Sequence, residues 1–221
     1  MIFTHPGKLG DVFQCLQIIS WWCKENNSPA KLALTRFPYS KECEELLLMQ
    51  GCISEVIHLP FEAPATFNNH LIDMKSLGYN EDYINLGFST LPKIYYCDHI
   101  ANELGLGVDY DFKLNIGEKR NKYRGKTAII DKYENNILRN SGIKGEYLPS
   151  NNSLLKNLQL AMGASTVKTF STASAMLLLL AGKNLVVYGE NRMTNDGRTF
   201  KDLHIECVYS KLPGKATWVT L

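Results

Sequence analysis

No stretch of this 221-residue chain is long and apolar enough to cross a bilayer as a helix. The longest strongly apolar run, Ala173 to Ala181 with Ser174 inside it, covers about nine residues, against roughly 20 for a membrane-spanning helix. The opening segment, Met1-Ile2-Phe3-Thr4-His5-Pro6-Gly7-Lys8, has no basic stretch followed by an apolar one. A secretory signal is therefore not expected, and the cytoplasm is the expected location. Cys-x-x-Cys pairs are also missing. The six cysteines (Cys15, Cys23, Cys43, Cys52, Cys97 and Cys207) are scattered, which reads as reduced, mostly buried thiols. Five histidines far apart in sequence argue against a metal site, and no metal or other cofactor is expected. Neither a Gly-x-Gly-x-x-Gly fingerprint nor a Walker A loop occurs, so a nicotinamide cofactor or nucleotide hydrolysis has little support. The lack of a Gly-x-Ser-x-Gly elbow weighs against a hydrolase. Charge of one sign is scarce as well: 24 Lys and Arg stand against 22 Asp and Glu, a net +2. That is not the basic stripe of a protein that neutralises nucleic-acid phosphates, although a nucleic acid remains possible as an acceptor.

What is present is an ordinary globular composition, 45% hydrophobic, arranged as alternating strands and helices. Met1 to Thr4 reads as a strand. From Asp11, the residues Val12, Cys15, Leu16, Ile19, Trp22 and Cys23 fall at helical spacing and predict one amphipathic helix ending near Asn26. Trp22 is expected in the core and Trp21 against a neighbouring element. Strands follow at Lys31 to Thr35, Glu55 to Leu59 and Asp82 to Gly87, with helices at Lys41 to Gln50 and Tyr95 to Leu104. Lys119, Arg120, Lys122, Arg124 and Lys126 form a polar run that reads as a solvated connector between two lobes, 1–118 and 119–221. Alternation restarts with a strand at Thr127 to Asp131. A helix follows at Leu154 to Met162 with Ser153 as its cap, then a strand at Val167 to Phe170, an apolar helix at Thr172 to Leu180 and a strand at Asn184 to Tyr188. This order implies parallel β-α-β units and a doubly wound α/β layer in each lobe.

In open α/β sheets ligands bind beyond the carboxyl ends of the strands, so the loops there carry functional weight. In the first, Gly7, Lys8 and Gly10 let the backbone turn before Asp11, which reads either as a helix cap or as a carboxylate presented at the sheet's mouth. The second, Ser171, Thr172, Ala173 and Ser174, joins small hydroxyl residues to a helix start. It suits either a diphosphate or a simple cap. In the third, Glu190 could hold a sugar or ribose hydroxyl and Arg192 a phosphate, the alternative being ordinary surface residues.

Lys8-Leu9-Gly10-Asp11-Val12 after an apolar strand resembles the N-terminus of the ADP-heptose:lipopolysaccharide heptosyltransferase family of GT-B glycosyltransferases. Tyr83-Ile84-Asn85-Leu86-Gly87 is similar to that family's strand-end "vINL", and His99 to Leu106 to its helix ending in "LGL". Ala161 to Glu190 resembles the segment carrying the family's Asp-Thr-Gly turn and following "GKP" strand. The likeness covers about two-thirds of the chain. It departs where Ser171-Thr172-Ala173 replaces Asp-Thr-Gly, where the family's following histidine is replaced within Ser174-Ala175-Met176-Leu177, and in a second lobe that looks cut down, with about 25 polar residues between the Thr127 strand and the Leu154 helix. The resemblance implies a GT-B-like fold of two Rossmann-like lobes, the first acceptor-side and the second donor-side and reduced. It implies inverting transfer from a nucleotide-sugar donor with Asp11 as general base, Gly10 as the turn presenting it, and Thr172 with its neighbours as the donor-phosphate loop facing it across a cleft. A glycan, a small hydroxyl compound or a modified nucleobase are the acceptors to consider. The competing expectation is a nucleotide- or sugar-binding module of the same fold that has lost catalysis.

Overall fold

Ile2 and Phe3 set an apolar side chain on each face of a period-2 pattern, as a strand covered on both sides needs, and Ile2, Phe3, Thr4 and His5 are all buried. In the computed structural model, which describes residues 1–5, 9–36, 40–62, 72–87, 92–131 and 136–221, this segment is β1 (Ile2–His5) in a four-stranded parallel sheet. The order is β3-β2-β1-β4, with β2 (Ala30–Arg36), β3 (Ile53–Glu62) and β4 (Tyr83–Asn85). Two compact units divide the chain. The first holds Met1–Pro92 and Tyr96–Asp109, the second Lys93–Tyr95 and Tyr110–Leu221.

In the first unit, the single helix expected from Asp11 onward is two. α1 (Leu9–Gln14) and α2 (Leu16–Asn26) meet at Cys15, whose ψ of −11° departs from the helical value. α2 stops at Asn27, which takes the left-handed conformation (φ 47°) that asparagine tolerates at a helix end. Trp22 meets Phe3 edge-on at 5.6 Å. Trp21 covers Gly107, where a Cβ would lie 2.5 Å from the indole. α3 (Ser40–Leu48) and α4 (Tyr96–Leu104) complete the layer. Ile2, Ala33, Ile57, Leu59, Ile72 and Met74 form a core cluster beside the sheet. The Asn85 side chain accepts from the Thr4 hydroxyl and exchanges hydrogen bonds with the backbone of Ile72, pinning the short β4 to β1 and to the segment before it.

The second unit has a five-stranded parallel sheet, β6-β5-β7-β8-β9: β5 (Thr127–Ile130), β6 (Glu146–Tyr147), β7 (Thr166–Phe170), β8 (Leu185–Gly189) and β9 (Ala216–Thr220). Among the described residues, the connection from β5 to β6 carries the four-residue α5 (Ile137–Asn140). α6 (Leu154–Gly163) begins at Ser153, whose hydroxyl accepts from the Lys156 amide. α7 (Ala173–Leu180) is buried from Ser174 to Leu180, as a helix apolar all round must be.

The five cations of the basic run are exposed, but its backbone packs within the second unit. Residues Asn121–Tyr123 make a 3₁₀ turn, Tyr123 is buried, and Arg120 donates to the Gln159 side chain at 2.9 Å. Lys126 pairs with Glu146. Leu114 donates its amide to Leu180, and Leu114 and Ile116 are buried. The change of unit therefore falls after Asp109, ahead of the 118/119 position that composition suggests. Among the described residues no helix is long and apolar enough to cross a membrane.

Candidate functional site

At the carboxyl end of β1, Gly7 and Lys8 lie outside the described residues. Gly10 and Asp11 are the second and third residues of α1. Two expectations change here. Gly10 sits inside the helix's first turn rather than in a loop ahead of it, and Asp11 is not the N-cap because the helix opens at Leu9. A carboxylate in the first turn still meets the positive end of the helix. Asp11 is half-buried, and its carbonyl accepts the Cys15 amide at 3.1 Å.

Behind this turn lies a buried polar group that sequence reasoning missed. His5 Nε2 is 2.8 Å from the Tyr96 hydroxyl, with both residues buried, and that hydroxyl also bonds the Cys15 side chain. Cys97 donates to the Gln14 carbonyl at 3.2 Å. Burial lowers the His5 pKa to about 3, so the ring is neutral. Burial, and after it the charges of Cys97 and Asp11, push the Cys15 thiol up. The same burial, with Cys15, Asp11 and Cys97, pushes the Tyr96 phenol up. The His5 ring, the Cys15 thiol and the Tyr96 phenol are therefore all uncharged at neutral pH.

In the second unit, the predicted donor residues occupy neighbouring strand ends. Ser171 follows β7 and ties its amide to the Tyr188 carbonyl at 2.8 Å. Thr172 stands at the N-cap position of α7 with extended backbone, yet its side chain makes no cap bond; the hydroxyl turns back to the Phe170 carbonyl at 3.3 Å. Its own carbonyl receives the Ala175 and Met176 amides. The amides of Ala173 and Ser174 therefore open α7 without a side-chain cap from Thr172. Glu190 and Arg192, after β8, are exposed and paired at 3.4 Å. A pair of this kind contributes little to stability, so a bound anion could compete for the guanidinium.

What links these groups lies further along the chain. Arg192 rests on the Phe200 ring at 4.2 Å, and Phe200 meets His204 at 4.0 Å. His204 lies 5.7 Å from Trp218 and 5.5 Å from Tyr209, and the Tyr209 hydroxyl reaches Ser171 Oγ at 3.0 Å. α8 (Phe200–Asp202) and a π-helical turn, Leu203–Val208, carry this row. His204 is fixed by an Nδ1 bond to the Phe200 carbonyl at 2.8 Å, and burial lowers its pKa. Sequence reading found no signal here, because the aromatics are single residues at irregular spacing.

Among the described residues no group of three or more His, Cys, Asp or Glu side chains could hold a metal ion. Asp109-Tyr110-Asp111 does spell Asp-x-Asp, a spacing of carboxylates that can hold a metal. Asp109, however, is engaged by the Ser20 hydroxyl at 2.6 Å and by Lys24 at 2.7 Å.

No protein-family model matches the chain, and no curated protein matches it. A solved structure does: the crystal structure of the glycosyl transferase family 9 protein from Veillonella parvula DSM 2008 superposes with a TM-score of 0.61 at 10% sequence identity. The match covers 100% of this chain and 85% of that one. At that identity the likeness establishes the fold, a GT-B-like pair of Rossmann-type α/β layers.

Proposed function

We propose that the protein is an inverting glycosyltransferase that moves a sugar from a nucleotide-sugar donor to an acceptor hydroxyl. The observation that carries this reading is the fold likeness along the whole chain to a glycosyl transferase family 9 structure. Asp11 in the first turn of the helix after β1 supports it. In the proposed reaction the acceptor's O–H proton passes to the Asp11 carboxylate as the oxygen attacks the anomeric carbon. The bond from that carbon to the diphosphate oxygen breaks, and the diphosphate leaves with the electron pair. First-turn amides of α7, the hydroxyls of Ser171 and Ser174, Thr172 once its hydroxyl leaves the Phe170 carbonyl, and Arg192 are the groups we assign to the departing charge, which they can hold without a metal. Glu190 is assigned to a sugar or ribose hydroxyl. The first unit is assigned to the acceptor and the second to the donor, in the cytoplasm.

The test is turnover of a panel of nucleotide sugars, read as slow donor hydrolysis or transfer to glycan, small hydroxyl and nucleobase acceptors, for the wild type and Asp11→Asn. Asparagine keeps the shape and removes the base, so the variant is expected to lose roughly 10²–10⁴-fold in rate with an unchanged melting temperature. Wild-type turnover in Asp11→Asn would remove Asp11 from the mechanism. Ser171-Thr172-Ala173 in place of Asp-Thr-Gly favours one other reading, a binding module without catalysis. That reading predicts nucleotide binding with no turnover on any donor.

A further inference from the structure

We propose that Tyr209 is a positioning residue for anion binding at the Ser171–Ser174 turn: its phenol donates to Ser171 Oγ, so that the Ser171 hydroxyl proton is directed to a bound diphosphate oxygen. The inference rests on the donor turn assigned above.

Hydrogen-bond accounting around Ser171 leads to it. The Ser171 amide is committed to the Tyr188 carbonyl, so what this residue can offer a ligand is its hydroxyl, one donor and two acceptor lone pairs. The neighbouring Phe170 carbonyl already accepts both the Thr169 hydroxyl at 3.1 Å and the Thr172 hydroxyl at 3.3 Å. Its two lone pairs are filled, and it does not draw the Ser171 proton inward. Tyr209 lies 3.0 Å away with its ring buried. A phenol donates more readily than an alkyl hydroxyl, and burial pushes this one up to about 12, keeping it protonated across the working range. With Tyr209 donating, the Ser171 proton points away from the phenol, and the chain of two hydroxyls polarises it toward an anion.

The phenol is held for this task. Tyr209 closes the π-helical turn, its amide bonded to the His204 carbonyl at 2.8 Å, and its carbonyl accepts the Leu212 amide. His204 backs the ring and is itself fixed by Phe200 and Trp218. Single-turn π segments such as Leu203–Val208 are frequent at functional sites.

The experiment is a titration of inorganic pyrophosphate, and of a panel of nucleoside diphosphates, in the presence of a chelator. It follows the Ser171–Ser174 amide signals for the wild type, Tyr209→Phe, Ser171→Ala and the double variant. Tyr209→Phe and Ser171→Ala are each expected to weaken pyrophosphate binding about 3- to 10-fold, the worth of one such hydrogen bond. The double variant is expected to be no weaker than either single one, with affinity for the nucleoside alone unchanged. If the phenol merely stabilised the fold, Tyr209→Phe would lower the melting temperature and leave binding intact, and the proposal would fall. Effects that add in the double variant would also overturn it. Should Tyr209→Phe not fold, Ser171→Ala with wild-type affinity is sufficient to reject it. A wild type that binds neither pyrophosphate nor any nucleoside diphosphate rejects the donor turn itself and this inference with it; binding with no loss in Tyr209→Phe rejects Tyr209 alone.

Discussion

Gly189 and Trp218 show how one residue can set a whole aromatic row. A Cβ on Gly189 would lie 2.0 Å from Cζ2 and 2.3 Å from Cη2 of Trp218, so the indole rests directly on the end of β8. From there it reaches Phe200 at 6.2 Å and His204 at 5.7 Å. Gly189→Ala is expected to lift the indole, at a cost of about 1–3 kcal/mol for overpacking. The measurements are the urea midpoint and a red shift of tryptophan emission; an unchanged midpoint would mean that the ring finds room elsewhere. His5 acts differently, through its protonation. In the native state its pKa is about 3, against 6.5 for a free imidazole. Between those values the unfolded chain binds a proton that the folded chain does not, and stability falls as pH is lowered. From pH 7 to pH 5 this amounts to about 2 kcal/mol, and His204, also lowered by burial, adds in the same direction. His5→Gln keeps an acceptor for Tyr96 but cannot titrate, so its stability should change less over that interval. Equal changes in both proteins, by urea unfolding at the two pH values, would contradict the assignment.

Among the elements, α6 and the basic run before β5 make the sharpest case. A Cβ on Gly163 would lie 2.0 Å from the Arg120 carbonyl oxygen, while the Arg120 amide donates to the Gln159 carbonyl at 3.1 Å. Helix propensity by itself predicts that Gly163→Ala gains up to about 1 kcal/mol. The structure predicts the opposite sign, because backbone must move, with a net loss of about 1–3 kcal/mol visible as a lower melting temperature. The same docking explains why a run of cations that resembles a linker belongs to the second unit. Five charges in eight positions, Lys119 to Lys126, hide one buried tyrosine, Tyr123, and a backbone that packs on a helix. Near the N-terminus, the apolar stripe from Val12 to Cys23 fits one helix, and the break at Cys15 has no proline or glycine to announce it. The thiol there is drawn to the Tyr96 hydroxyl on α4, a tertiary contact.

At the scale of the whole chain, likeness to a glycosyl transferase family 9 structure persists at 10% identity. Such persistence is possible because a Rossmann-type layer asks for a pattern rather than particular residues: short strands apolar on both faces, helices with one apolar stripe, and turns between them. The chemistry asks for more, a few side chains at defined strand ends. The proposed transfer reaction therefore stands or falls on Asp11 and on the Ser171–Ser174 turn.

The sequence by itself determined the α/β class, most of the strands, the Ser153 cap and the all-round burial of α7, since each depends on local periodicity or on one turn residue. It also placed Asp11 and the Ser171–Ser174 turn beyond parallel strands, where ligands bind. It missed β9, where Ala216-Thr217-Trp218-Val219-Thr220 follows Pro213 and Gly214 and forms a partly exposed edge strand, because an edge carries a weak apolar signal. Only the tertiary structure decided what surrounds the candidate residues. His5 and Tyr96 are 91 positions apart and Ser171 and Tyr209 are 38 apart. Such pairs meet because the order of parallel strands brings distant chain segments to the same edge of a sheet, and no local pattern records which of the possible partners that order selects.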